Sequence, residues 1–307
     1  MAVSVGLLGF VLSRVPAAEL REVLSSAHAP GLWGAVGISL LIELVLAGRL
    51  TMVARVQRIT LPWARAVQID LAARFYGLFA PASNISGSAI RAYKLARQPA
   101  DPLDAVASIV FDRLVATASL GAVGQAFWLL ERPPDTLYVG LVLTATWVLP
   151  LAAYLTALRA RSSGESSRRS ASLRTAEWWD RTRQTAARFR DMGAAPLVAI
   201  VAASGTVHLL GVLLYTTLAT SLGIDIGFVT MGWISTATTV VTMVPISASG
   251  LGLREGALIY LLGLYGVPPA TALGLSLLYF AVRFLLTGLP GGLVEARGRG
   301  RLEAKGR

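Results

Sequence analysis

FAPASNISGSAIRAYKLARQ, residues 79–98, and VPISASGLGLREGALIYLL, residues 244–262, are the two stretches on which the fold turns. Each interrupts a longer apolar segment, 65–98 and 228–264, in its middle. In the first, Pro81 ends the incoming helix, because proline removes a donor and disfavours helix in the residue before it. Ser83, Asn84 and Ser86 are suited to cap the next helix, Gly87 permits close backbone approach, and Arg91 follows one turn in. In the second, Pro245, Ser247, Ser249, Gly250 and Gly252 repeat that chemistry, with Arg254 and Glu255 next. Each break is expected to present a helix N-terminus whose unpaired amides and dipole favour an anion. The plainer alternative is a kinked span with Ser and Gly at a packing interface.

The surrounding chain is that of a membrane protein. Of 307 residues, 54% are hydrophobic and 15% charged, against about 25% charged in an average soluble domain; mean hydropathy is +0.62. Runs 31–54, 103–131, 137–159, 195–222 and 270–292 are continuous and near the roughly 20 residues a spanning helix needs. Barrel strands would alternate instead. Residues 2–13 are expected to form a short first span rather than a signal peptide, since no basic n-region precedes them; a start placed too far downstream would also account for their shortness. Cysteine is absent, which excludes disulfides and thiolate chemistry. His28 and His208 lie far apart and read as structural, so no metal and no cofactor is expected.

The net charge of +11 does not point to nucleic acid, because the arginines gather in loops between apolar runs. That pattern orients the chain. The hydrophilic segment 160–192, with Trp178, Trp179 and Phe189 among its arginines, reads as a cytoplasmic loop holding an interfacial amphipathic helix. The basic tail 296–307 is expected on the same side, after a single transmembrane domain over 1–295. Arg49, Arg55, Arg58 and Arg65 place the end of the 31–54 span inside, as Lys94 and Arg97 place the end of 65–98. The turns 131–135 and 222–225 face outward. Segment 65–98 then enters and leaves from inside, and 228–264 from outside. The expected fold is all-α: a polytopic membrane protein of two inverted halves, each containing a re-entrant broken-helix hairpin.

Ionisable residues within the apolar segments are Glu43, Asp70, Arg74, Arg91, Asp112, Arg113, Arg254, Glu255 and Arg283. Each costs about 2.5–3.5 kcal/mol or more at the centre of a lone helix, so they are expected to cluster inward. At 1.5 Å per residue, Asp112 lies ~15 Å and Arg283 ~14 Å from the cytoplasmic ends of their helices, near the midplane in equivalent places. Four acids against five arginines leave positive charge for an anionic ligand. Asp70 and Arg74, spaced i,i+4, are expected to pair with each other, and Glu43 to partner an arginine.

At these motifs the sequence resembles the transmembrane region of lysylphosphatidylglycerol synthase, the flippase-like family. Pro81, Gly87 and Arg91 look like its first motif, and Asp112-Arg113 like the acid–Arg pair on the next helix. Pro245, Gly250, Gly252, Arg254 and Glu255 look like its second motif, and Arg283 with Pro290-Gly291-Gly292 like its last. The likeness covers roughly residues 31–295. Ser88 stands where the family usually carries Glu, and Asp112 where it often carries Glu; an acid usual a few residues beyond Arg113 is absent. These departures bear on headgroup preference. The resemblance implies movement of an anionic lipid between leaflets, with substrates such as aminoacylated phosphatidylglycerol or polyprenyl-phosphate-linked sugars. Full synthases add a soluble aminoacyl-transferase domain, and the chain ends about fifteen residues after its last span, so that activity is expected elsewhere.

The function these readings support is a non-enzymatic, flippase-like protein of the cell membrane whose partner is an anionic lipid. Arg91, Arg254, Ser86, Gly87, Ser88, Ser249, Gly250 and Gly252 are expected to hold the lipid phosphate between the hairpin tips. Asp112, Arg113, Glu255, Arg283 and Glu43 are expected to form the charge network lining the path. Alternatives are a non-transporting lipid-binding scaffold for a partner enzyme, and a membrane-embedded lipid-phosphate transferase. A second copy of the chain is a further candidate partner.

Overall fold

A computed structural model describes residues 15–80, 83–99, 101–159, 187–245 and 249–305, with Gly6, Gly9, Thr185 and Ser247. The expected span at 2–13, the break at Pro81 and most of segment 160–192 lie outside the described residues. Every regular element among them is helical: α1 (Ala17–Ser25), α2 (Ala29–Val56), α3 (Trp63–Phe79), α4 (Ser83–Ala96), α5 (Pro102–Glu131), α6 (Leu137–Arg159), α7 (Ala194–Ser221), α8 (Phe228–Val241), α9 (Leu253–Gly263), α10 (Pro269–Phe280), a π-helical turn (Ala281–Leu285) and α11 (Leu286–Lys305). Five helical stretches are long and apolar enough to cross a membrane: Ala29–Val56, Pro102–Glu131, Leu137–Thr156, Ala194–Ser221 and Pro269–Ala296. They coincide with five of the expected spans because a continuous apolar run must satisfy its own backbone in lipid.

Local chemistry sets the boundaries. Asp101 accepts the Leu103 amide at 2.8 Å and Pro102 occupies the first turn, which together start α5. Before α9 the backbone turns through positive φ at Ser249, Gly250 and Gly252; glycine adopts that conformation without a Cβ penalty.

Both broken stretches fold back on themselves. Asp70 on α3 meets Arg91 on α4, and Trp233 on α8 meets Tyr265 just after α9, so each pair of helices is antiparallel. The open end of α3–α4 packs with the start of α5 through Leu61, Leu95 and Ala105. The open end of α8–α9 lies at the other end of α5, where Tyr265 donates to Glu131. The tips meet: the Ser249 hydroxyl donates to the Gly77 carbonyl at 3.1 Å, in a buried contact. The last helix clamps both hairpins. Its α10 part packs on α9, and its α11 part packs on α3, where a Cβ added at Gly291 would lie 2.0 Å from the Leu71 carbonyl oxygen.

A candidate anion site lined by arginine

Between the hairpins lies a cavity of about 250 Å³. Helical stripes build it. From α7 come His208, Gly211, Val212 and Tyr215, from α2 Ile42, Leu46 and Arg49, and from α5 Arg113, Ala116 and Leu120, each set recurring every three or four residues. Ala73, Arg74 and Gly77 come from α3, and Gly87, Ser88 and Arg91 from α4. Ser235, Thr236 and Thr239 of α8 add hydroxyls, and Arg283 enters from the π-helical turn.

Five arginines therefore line one space, and their counter-ions stand behind them. Glu43 takes Arg74 at 2.6 Å and also pairs with Arg283. Asp70 takes Arg91 at 2.7 Å. Asp112 takes Arg49 at 2.8 Å and Arg113 at 2.7 Å. None of these three carboxylates lines the cavity. Five guanidiniums against three carboxylates leave an excess of two positive charges around the space. A buried charge is tolerated when paired and hydrogen-bonded, and here each arginine has a carboxylate partner. Arg113 keeps 35% of its side chain exposed, whereas Arg49 is 2% exposed. The cavity is thus least enclosed beside Arg113. His208 Nε2 lies 2.9 Å from the Ala116 carbonyl, which can only accept, so that nitrogen carries the hydrogen.

Several expectations are corrected. Asp70 and Arg74 do not pair with each other; their helix faces two different neighbours, and each finds its partner across an interface. Arg49 does not sit at the membrane end of α2. Seven residues before Val56, it is buried on Asp112 and donates to the Ser204 hydroxyl at 2.9 Å. Its position on the same stripe as Ile42 and Leu46 was the available signal.

The second hairpin departs furthest from expectation. Arg254, Glu255, Ser249, Gly250 and Gly252 do not line the cavity. The Arg254 guanidinium donates to Glu255 at 3.0 Å and to the Ser276 hydroxyl at 2.9 Å, and lies over the rings of Tyr279, Phe280 and Phe284 at 5.3–5.7 Å. Ser276 in turn donates to Glu255 at 2.6 Å. At the α9 N-terminus Glu255 accepts the Gly252 amide, so a carboxylate of the helix's own first turn stands beside the place expected for a phosphate. Of the expected phosphate-binding set, the structure brings Arg91, Gly87 and Ser88 to the cavity, with Ser86 beside them outside its wall. Of the expected network, Arg113 and Arg283 line it and Glu43 and Asp112 support it.

A family model described as the lysylphosphatidylglycerol synthase TM region matches residues 1–291. No curated protein matches the chain.

Proposed function

We propose, from the premise that the chain belongs to the lysylphosphatidylglycerol synthase TM region family, that its arginine-lined cavity binds the phosphate of an anionic lipid and passes that lipid between leaflets. The observation that carries this reading is the five guanidiniums facing one space while their three carboxylates stay behind. A phosphate monoanion or diester entering there meets excess positive charge and planar donors suited to its oxygens. The apolar parts of the wall, Ile42, Leu46 and Val212 among them, suit the glycerol and first methylenes.

The two hairpins are read as re-entrant, entering from opposite faces with tips at mid-depth, and α2–hairpin–α5 and α7–hairpin–α10 as inverted halves. Supporting this are the hairpins' oppositely placed open ends and the Ser249–Gly77 contact between tips. The end carrying Arg55, Arg58, Arg65 and Arg188 is read as cytoplasmic, in a cell membrane. The process is binding and movement without covalent chemistry. Each carboxylate behind the cavity wall is held by one or two guanidiniums, which leaves it poorly placed as a general base.

Arg113→Gln is the sharpest test. Asp112 keeps Arg49 in that variant, and the residue is partly exposed, so folding should survive. A charge-assisted hydrogen bond contributes about 1.5–3 kcal/mol, which is roughly ten- to hundredfold. In proteoliposomes, leaflet exchange of tail-labelled phosphatidylglycerol is expected to fall by that factor with Tm unchanged. Undiminished exchange in this variant, or equal wild-type rates for anionic and zwitterionic lipid, would remove the cavity from the reading.

A further inference from the structure

A second space lies well away from the cavity, where the end of α2 meets the start of α7. It is a groove of about 680 Å³, within the range of about 300–1,000 Å³ typical of small-molecule sites. Its third wall is the helical turn ending at Arg190, which is pinned in place. Arg188 donates to Asp104 at 2.6 Å and to Gln57 at 3.1 Å, Thr185 donates to Asp104 at 2.7 Å, and Phe189 stacks on Phe111 at 4.2 Å. The groove is therefore a built feature of the bundle.

Its two halves differ in chemistry. Met52, Val56, Met192, Pro196 and Ala199 form an apolar half. Arg55 and Arg58 form the basic half; both are exposed and make no ion pair among the described residues. Arg188 is neutralised by Asp104, and the rim carboxylate of Asp191 by Arg190 at 2.5 Å. Among the described residues, the guanidiniums of Arg55 and Arg58 are thus the groove's unpaired charges. Helix α2 has 28 residues, about 42 Å at 1.5 Å per residue, longer than a hydrocarbon core of about 30 Å. That length lets its last turn, with Arg55, reach headgroup level, while Pro196 and Ala199 lie in the first two turns of an apolar helix long enough to span. Charge toward water and methylene-sized surface toward the membrane is the profile of a phospholipid. Basic pockets between helix ends are the kind of place that retains anionic headgroups.

We infer that this groove holds a resident anionic glycerophospholipid, its phosphate on Arg55 and Arg58 and its proximal acyl chain along Met52, Val56 and Pro196. The site is separate from the central cavity and does not depend on transport through it.

Native mass spectrometry of the detergent-purified full chain, titrated with phosphatidylglycerol and in parallel with phosphatidylcholine or inorganic phosphate, tests the assignment. Arg55→Gln/Arg58→Gln is expected to retain one phosphatidylglycerol fewer than wild type, or to bind it at least about tenfold more weakly. Ala199→Trp, which fills the apolar half and changes no charge, should displace the same lipid. Arg113→Gln should leave this lipid in place, which separates failure here from failure of the cavity reading. Unchanged stoichiometry in the double variant would overturn the assignment. So would phosphatidylcholine held as firmly as phosphatidylglycerol, or displacement by millimolar inorganic phosphate alone.

Discussion

In the hairpin of α3 and α4, Arg91 takes its counter-ion from the opposite arm, Asp70, and still faces the cavity. In the hairpin of α8 and α9, Arg254 takes Glu255 from the next position in the chain, Ser276 from α10, and three aromatic faces besides. Both stretches carry proline, small polar residues, glycine and then arginine. They differ in what stands opposite. A carboxylate adjacent in sequence and a hydroxyl across the interface use up the second guanidinium, and Tyr279 and Phe284, which line the cavity, cover it. One hairpin faces the cavity, and the other packs into the bundle beside it. A helix start in a membrane protein becomes an anion site only if no side chain of its own reaches it first.

The largest expected effect breaks the hairpin of α8 and α9. Glu255→Ala strips Arg254 of its carboxylate and uncaps α9, and breaking a buried pair in this way costs about 3–5 kcal/mol. Loss of most folded protein in detergent, seen by size exclusion and thermal unfolding, is the outcome to look for; a variant as stable as wild type would mean that Arg254 is not committed there. Gly291→Ala comes next, since its Cβ would sit 2.0 Å from a backbone oxygen that cannot swing aside. Overpacking of this kind costs about 1–3 kcal/mol, and the lowered Tm should be recovered by no rotamer change nearby.

Asp70→Asn sharpens the contrast with Glu255. It leaves Arg91 without its carboxylate, yet facing a cavity rather than packed aromatic rings, so a smaller stability loss, about 1–2 kcal/mol, is expected. The cavity gains one unit of positive charge, and tighter retention of phosphatidylglycerol should accompany that loss. Weaker retention would place Arg91 outside the binding surface. The smallest effect belongs to Ser249→Ala, which removes the Ser249–Gly77 hydrogen bond between hairpin tips, worth about 0.5–1.5 kcal/mol. A Tm shift of more than a few degrees would show that the tips do more than touch.

Much of this was legible in sequence. The five described spans, the two interruptions and the sharing of one end by residues 57, 104 and 188 follow from run length and loop charge. Arg113, Arg283, Glu43 and Asp112 were also visible as charges that cannot face lipid. Arg49 was not, because its place near a run of loop arginines made it look like one of them. His208 was read as structural, and only its neighbours Arg49 and Arg113 across the cavity give it a setting.

The sequence by itself determined where the chain is helical, where it breaks and which segments share an end, since hydrophobic length and loop charge are properties of local stretches. Tertiary structure alone decided which carboxylate each arginine meets: Asp70 with Arg91 rather than Arg74, Asp112 with Arg49, Arg254 turned away from the cavity. Ion pairing depends on which helix faces are brought within about 3–4 Å of each other, and spacing along one helix fixes a face but not the face it will meet.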